Sequence, residues 1–127
     1  MKLDKDLVRE ILLTLESSMH PAHGTLDLSF EGRTAEVISY HVLLLTEAGF
    51  LCSQSQQFLE DKSKIWKPMR LTYKGHEFLE TIRDGEVWGL TKKGVEKAGG
   101  ASLSLMMELG KVYGKQVIKD RLGIELP

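Results

Sequence analysis

Residues 34–51 read TAEVISYHVLLLTEAGFL, and the rest of the 127-residue chain is organised around them. Ile38, Val42 and Leu45 recur at the i, i+4, i+7 spacing that puts side chains on one helical face. Thr34 suits the N-cap, where a hydroxyl accepts from an orphan backbone N–H, and Glu36 lies where the helix dipole favours an anion. Gly49 suits the left-handed residue that ends many helices. The segment is therefore expected to be one amphipathic helix leaving directly into a strand.

Working outward, Asp4 to Ser18 reads as a first helix with Leu7, Val8, Ile11, Leu12 and Leu15 on a broad apolar face. His20-Pro21 and Gly24 break it. Thr25 to Phe30 alternates Leu26, Leu28 and Phe30 with Asp27 and Ser29, the pattern of a half-buried strand. After Gly49, FLCSQSQQFL reads as an outgoing strand, EDKSK as a polar tip and IWKPMRLT as the return. Pro68 cannot donate to a ladder, so the return strand is an edge or is interrupted there. A helix with Thr72 as its cap follows, with Phe78, Leu79 and Ile82 turned inward. A glycine-punctuated helix comes next, closed by Gly99-Gly100, and a last helix runs from Ser102 to Leu122.

Helix, strand, basic loop, return strand and helix, in that order, form the plan of a winged helix-turn-helix. No full helix fits between the first helix and the central one, so the motif is abbreviated. The expected class is α+β, with a winged-helix core over 1–84 and additional C-terminal helices over 85–127. That extension packs on its own domain or on a partner subunit.

Three blocks together, MKLDKDLVREILL, EGRTAEVISYHVLLLTEAGFL and RLTYKGHEFLETIRDGEVW, resemble a family of small uncharacterised proteins common in phage and prophage genomes. The resemblance spans about residues 1–90. More distantly the chain resembles the winged-helix superfamily of DNA-binding regulators, with Ile38 to Leu51 matching the recognition helix and its exit into the wing. That resemblance implies a helix in the major groove and a wing along the backbone. Neither resemblance implies a catalytic residue.

Charge qualifies the implied function. Net charge is −1, but residues 1–50 hold four Lys/Arg against eight Asp/Glu, and residues 51–127 hold thirteen against ten. Only the second part can supply a positive footprint for phosphates. On the central helix the face opposite Ile38, Val42 and Leu45 shows Glu36, Val37, Ser39, Tyr40, Leu43, Leu44 and Glu47, with Arg33 just before it. A base-reading helix calls for basic and amide side chains instead. Val37, Tyr40 and Leu44 form a second apolar stripe suited to a protein partner. The wing differs: Lys62, Lys64, Lys67, Arg70 and Lys74 surround Trp66 with no acid among them. Cations interleaved with an aromatic suit phosphate contact and base stacking; the alternative is a solvated hairpin whose lysines deter edge pairing.

The candidate nucleic-acid contacts are thus Arg33, Ser39, Tyr40, Lys62, Lys64, Trp66, Lys67, Arg70 and Lys74, with double-stranded DNA as the expected ligand. A host protein is the alternative partner. In the last helix Leu105, Leu109 and Val112 face one way, and Met106, Tyr113 and Val117 another, too many apolar positions for one stripe. A homodimer through Leu105, Leu109, Val112, Tyr113 and Val117 is expected. Gly110 and Gly114, four apart, suit close helix packing.

No enzyme is expected. His20, His23, His41 and His76 lack metal-ligand spacing, and His76-Glu77-Phe78-Leu79-Glu80 lacks the second histidine of a zinc-protease signature. No phosphate-cradling glycine motif or activated nucleophile occurs, so no cofactor or metal is expected. Cys52 reads as a small packed residue. A lone cysteine, acids within the first apolar stretch and no membrane-length apolar run point to the cytoplasm. LTYKG and LTKKG, nineteen residues apart, are too short to count as a repeat.

Overall fold

The computed structural model describes residues 2–18, 24–57, 64–100 and 102–123. It is an α+β structure: α1 (Lys5–Ser17), α2 (Ala35–Glu47), β1 (Leu51–Gln57), β2 (Lys64–Leu71), α3 (Tyr73–Ile82), α4 (Gly85–Lys97) and α5 (Leu103–Leu122). The chain divides into two compact units, Asp6–His76 and Met1–Lys5 with Glu77–Pro127. The division falls within α3; residue 84, the expected boundary, caps α4.

In the first unit α2 is the expected helix. Thr34 Oγ1 accepts from Val37 N at 3.2 Å. At the other end Gly49 (φ 86°) is left-handed, Gly49 N donates to Thr46 O and Phe50 N to Leu45 O. This is the Schellman arrangement, which satisfies the last carbonyls and turns the chain into β1. Ile38, Val42 and Leu45 are buried, as are Leu7, Val8, Ile11, Leu12 and Leu15 of α1. His41 is fully buried as well, its Nδ1 2.8 Å from Val37 O, so that Nδ1 carries the proton given to that carbonyl.

β1 and β2 pair antiparallel from Leu51↔Leu71 to Gln57↔Lys64. The register jumps from Cys52↔Arg70 to Ser53↔Pro68, leaving Met69 as the extra residue of a bulge. Pro68 thus sits beside the irregularity its missing N–H foreshadowed. Two hydrogen bonds fasten α2 to the hairpin: Trp66 N donates to Ser39 Oγ at 2.8 Å, and Thr46 Oγ1 lies 2.7 Å from Ser53 Oγ.

The strand expected over Thr25 to Phe30 is not formed. Residues 24–30 are irregular, touching the sheet through one backbone bond, Leu26 N to Pro68 O at 2.8 Å. The alternation still holds, with Leu26, Leu28 and Phe30 half-buried and Asp27 and Ser29 exposed.

The start of α3 is locked onto the turn after α2. Thr72 Oγ1 donates to Gly49 O at 2.6 Å and accepts from Gly75 N at 3.0 Å. Thr72 N donates to Phe50 O, and Lys74 Nζ to Ala48 O at 3.1 Å.

In the second unit α4 and α5 pack together, and Phe78, Leu79, Ile82, Val87, Trp88, Val95, Met106 and Val117 are buried. Asp84 caps α4 by accepting from Glu86 N and Val87 N. Arg121 grips that cap with a fork, Nη1 to Asp84 Oδ1 at 2.8 Å and Nη2 to Oδ2 at 3.1 Å, and also reaches Glu86. The Arg121 hydrogen bond foremost, then the Val87 N–H, hold the Asp84 carboxyl below its ordinary 3.8. A carboxylate with a depressed folded pKa contributes stability that is present above its unfolded value and lost as pH falls through the folded one. The thermal midpoint of this unit, read from Trp88, is therefore expected to drop as pH falls below 3.8. In Arg121→Ala that decline should be shallower; an identical acid profile would mean the fork does not stabilise the cap.

Candidate nucleic-acid interface

Antiparallel pairing places successive residues of each strand on opposite faces of the hairpin. Ser55↔Trp66 and Gln57↔Lys64 share one face of its outer half, and Gln56↔Ile65 and Gln54↔Lys67 share the other. Gln57 and Lys64 are exposed and Trp66 is half-buried. Lys62, at the expected tip, lies outside the described residues.

Several of the expected cations already have work within the fold. Lys67 Nζ lies 2.6 Å from Asp27 Oδ1. Lys74 Nζ meets the C-terminal carbonyl of Ala48, where a helix dipole welcomes a cation, and stands 5.0 Å from the Phe50 ring centroid. Arg70 Nη1 donates to Leu71 O at 3.1 Å. Arg33 is half-buried. The Lys67–Asp27 pair is open to solvent at Asp27, and such pairs contribute only about 0–1 kcal/mol. A phosphate can compete for Lys67.

Ser39 does not lie where it was expected. It was expected on the open face of α2, but it is buried beneath the backbone of β2, where it accepts from Trp66 N. What α2 leaves exposed is Ala35, Glu36, Tyr40 and Glu47, acidic and without a basic or amide side chain. Val37 and Leu44 of the expected second stripe are half-buried.

Compared with known proteins, the chain matches the profile of the family described as hypothetical protein DUF2513 over residues 2–101. It belongs to that family. The chain is also similar to an uncharacterized protein of Haemophilus influenzae, 34% identical over 122 residues, covering 96% of this chain and 99% of the other. No solved structure matches. The DUF2513 match covers the whole α2–hairpin–α3 arrangement and ends just before α5.

Of the residues expected at a dimer interface, Val117 is buried, and Leu105, Leu109 and Tyr113 are half-buried. Leu109 and Tyr113 close on α4, where a Cβ added to Gly94 would lie 3.0 Å from both side chains. Val112 is exposed. Sequence reading missed the part played by Gly75, whose bare Cα lets α3 sit against the Phe50 carbonyl. The available signal was a glycine one turn after a capping threonine. Among the described residues, no three of His, Cys, Asp and Glu are grouped to hold a metal ion, and no helix is long and apolar enough to cross a membrane. His20 and His23 lie outside the described residues.

Proposed function

We propose that the chain is a small nucleic-acid-binding regulator of winged-helix type, of the phage or prophage kind its resemblance implies, and that the hairpin rather than α2 meets the phosphate backbone. The observation that carries this reading is the outer half of the hairpin, where Gln57, Lys64 and Trp66 share one face. A cation and an amide for phosphate oxygens beside an indole for stacking form a sequence-tolerant contact set. The acidic face of α2 limits base readout, so binding should be weakly sequence-dependent.

Few contacts imply modest affinity and modest salt dependence. With two or three phosphates neutralised, the log–log slope of affinity against salt is expected at about −2 to −3. Anisotropy of a labelled random duplex, titrated at two low salt concentrations, measures it. Lys64→Glu should weaken binding and flatten the slope by about 0.9 per lost contact. Absence of binding by the unaltered protein at low salt rejects this function, and unchanged binding by Lys64→Glu rejects the hairpin.

A second reading, a protein-interaction module such as a phage factor engaging a host protein, draws on a different observation. Lys67, Arg70 and Lys74 already serve the fold, while α2 exposes Tyr40 between Glu36 and Glu47. That reading takes over if duplex binding is absent.

A further inference from the structure

From residue 111 to residue 122, α5 turns one kind of surface outward. At about 100° per residue, Ile118, Lys111, Leu122, Lys115, Lys119 and Val112 follow one another around the helix within a sector of about 120°. All six are exposed, the aliphatics at 41% (Ile118), 65% (Leu122) and 59% (Val112). The buried positions of the helix, Met106, Gly110 and Val117, point to the opposite side. Asp120 and Arg121 lie off the sector, and Arg121 is held by Asp84. Over this stretch the outward sector therefore holds lysine and aliphatic side chains alone, with no acid, amide or hydroxyl.

Lys111, Lys115 and Lys119 recur at every fourth residue, about 6 Å apart along the axis. Glu108, a turn earlier, has its Oε1 3.9 Å from Lys111 Nζ, a solvent-open pair of little strength. Packing against α4 uses the other side of α5, through Leu109 and Tyr113.

We propose that the outward face of α5 docks on an anionic lipid surface. The helix lies along the bilayer, with the lysines among headgroup phosphates and Val112, Ile118 and Leu122 entering the acyl boundary. The interleaving selects this occupant. Lysine is depleted from protein–protein interfaces, and a protein could not cover Leu122 without also desolvating Lys111 and Lys115 on either side of it. A nucleic acid offers phosphate but nothing for three aliphatics, and proteins that bind it place amide and hydroxyl donors among their cations. A bilayer satisfies both kinds at once: the alkyl stem of each lysine lies along the apolar layer while its ammonium stays with phosphate. The helix lies on such a surface and does not span it, since no helix among the described residues is long and apolar enough to cross a membrane. The docking uses none of the hairpin residues and is independent of nucleic-acid binding.

Co-sedimentation of the full chain with vesicles at low salt tests it. The protein is expected to bind vesicles of equal phosphatidylglycerol and phosphatidylcholine, and not vesicles of phosphatidylcholine alone. Lys115→Ala should weaken that binding about fivefold, and Lys111→Ala, Lys115→Ala and Lys119→Ala together roughly a hundredfold. Ile118→Ser and Leu122→Ser leave the charge untouched and should each weaken it about tenfold. All these side chains are exposed, so helical circular dichroism should not change. Absence of binding to the anionic vesicles overturns the proposal, as does equal binding to both compositions. Binding that survives the triple lysine variant overturns it too, because another surface would be responsible. Binding indifferent to both Ile118→Ser and Leu122→Ser would reflect charge alone and overturns the docking face. A triple variant that loses duplex binding, with the unaltered protein ignoring vesicles, would assign the face to nucleic acid instead.

Discussion

Gly75→Ala is expected to cost about 3 kcal/mol or more, a large share of the roughly 5–15 kcal/mol that ordinarily holds a domain folded. A Cβ at this position would stand 1.8 Å from the carbonyl oxygen of Phe50 and 2.9 Å from its carbon. Both obstacles are backbone, and neither side is free to retreat. Phe50 O is held by Thr72 N at 3.1 Å, Gly49 O by Thr72 Oγ1 at 2.6 Å, and Thr72 Oγ1 by Gly75 N at 3.0 Å. Relief requires breaking that set of bonds or expelling α3 from the turn after α2. Trp66 and Trp88, one in each unit, separate the readouts: urea unfolding followed through Trp66 in a Trp88→Phe background reports the first unit. Gly89→Ala is the control. It lies inside α4 with nothing within 4 Å of the added Cβ, and should stabilise by about 1 kcal/mol. A Gly75→Ala midpoint equal to that of the unaltered protein would mean the Thr72–Gly75 lock is not rigid.

Phe78→Ala is expected to cost about 3–5 kcal/mol. Phe78 is fully buried and is the largest such side chain in the described structure. Its loss removes the transfer term and leaves a cavity that close-packed neighbours fill only in part. Phe78→Leu should cost less, because most of the volume stays. Tyr73→Ala, on the same helix but 79% exposed, should change stability by about 0.5 kcal/mol or less. Chemical denaturation, read through Trp88 for Phe78→Ala and through Trp66 for Tyr73→Ala, gives the order; equal effects would contradict the assigned core.

The parts of the fold that could be read from sequence are those with local causes. Thr34, the Ile38–Val42–Leu45 face and Gly49 specify α2 within fifteen residues of one another, and all three appear as expected. Alternation over Thr25 to Phe30 was misleading because it reports which side chains are covered, not whether the backbone is laddered. Its backbone bond to the sheet, Leu26 N to Pro68 O, does not make a ladder. Ser39 was misplaced for a related reason: its partner is a backbone N–H 27 residues away, and no local pattern marks a hydroxyl that must be buried to meet it. The cations of the hairpin show the same limit. Counting charges between Lys62 and Lys74 found no acid, but Asp27 arrives from a distant segment and the end of α2 supplies carbonyl oxygen to Lys74. In α5 the apolar positions were visible, whereas their division between α4 and solvent depended on Gly94, a gap on a neighbouring helix.

Nucleic-acid contact through the outer hairpin is tested most directly by the emission of Trp66 in a Trp88→Phe protein, titrated with random duplex at low salt while anisotropy reports binding. The half-buried indole should be quenched in step with binding, and Lys64→Glu should shift both curves to higher DNA concentration. Binding by anisotropy with Trp66 emission unmoved would place the nucleic acid on another surface and contradict the assignment.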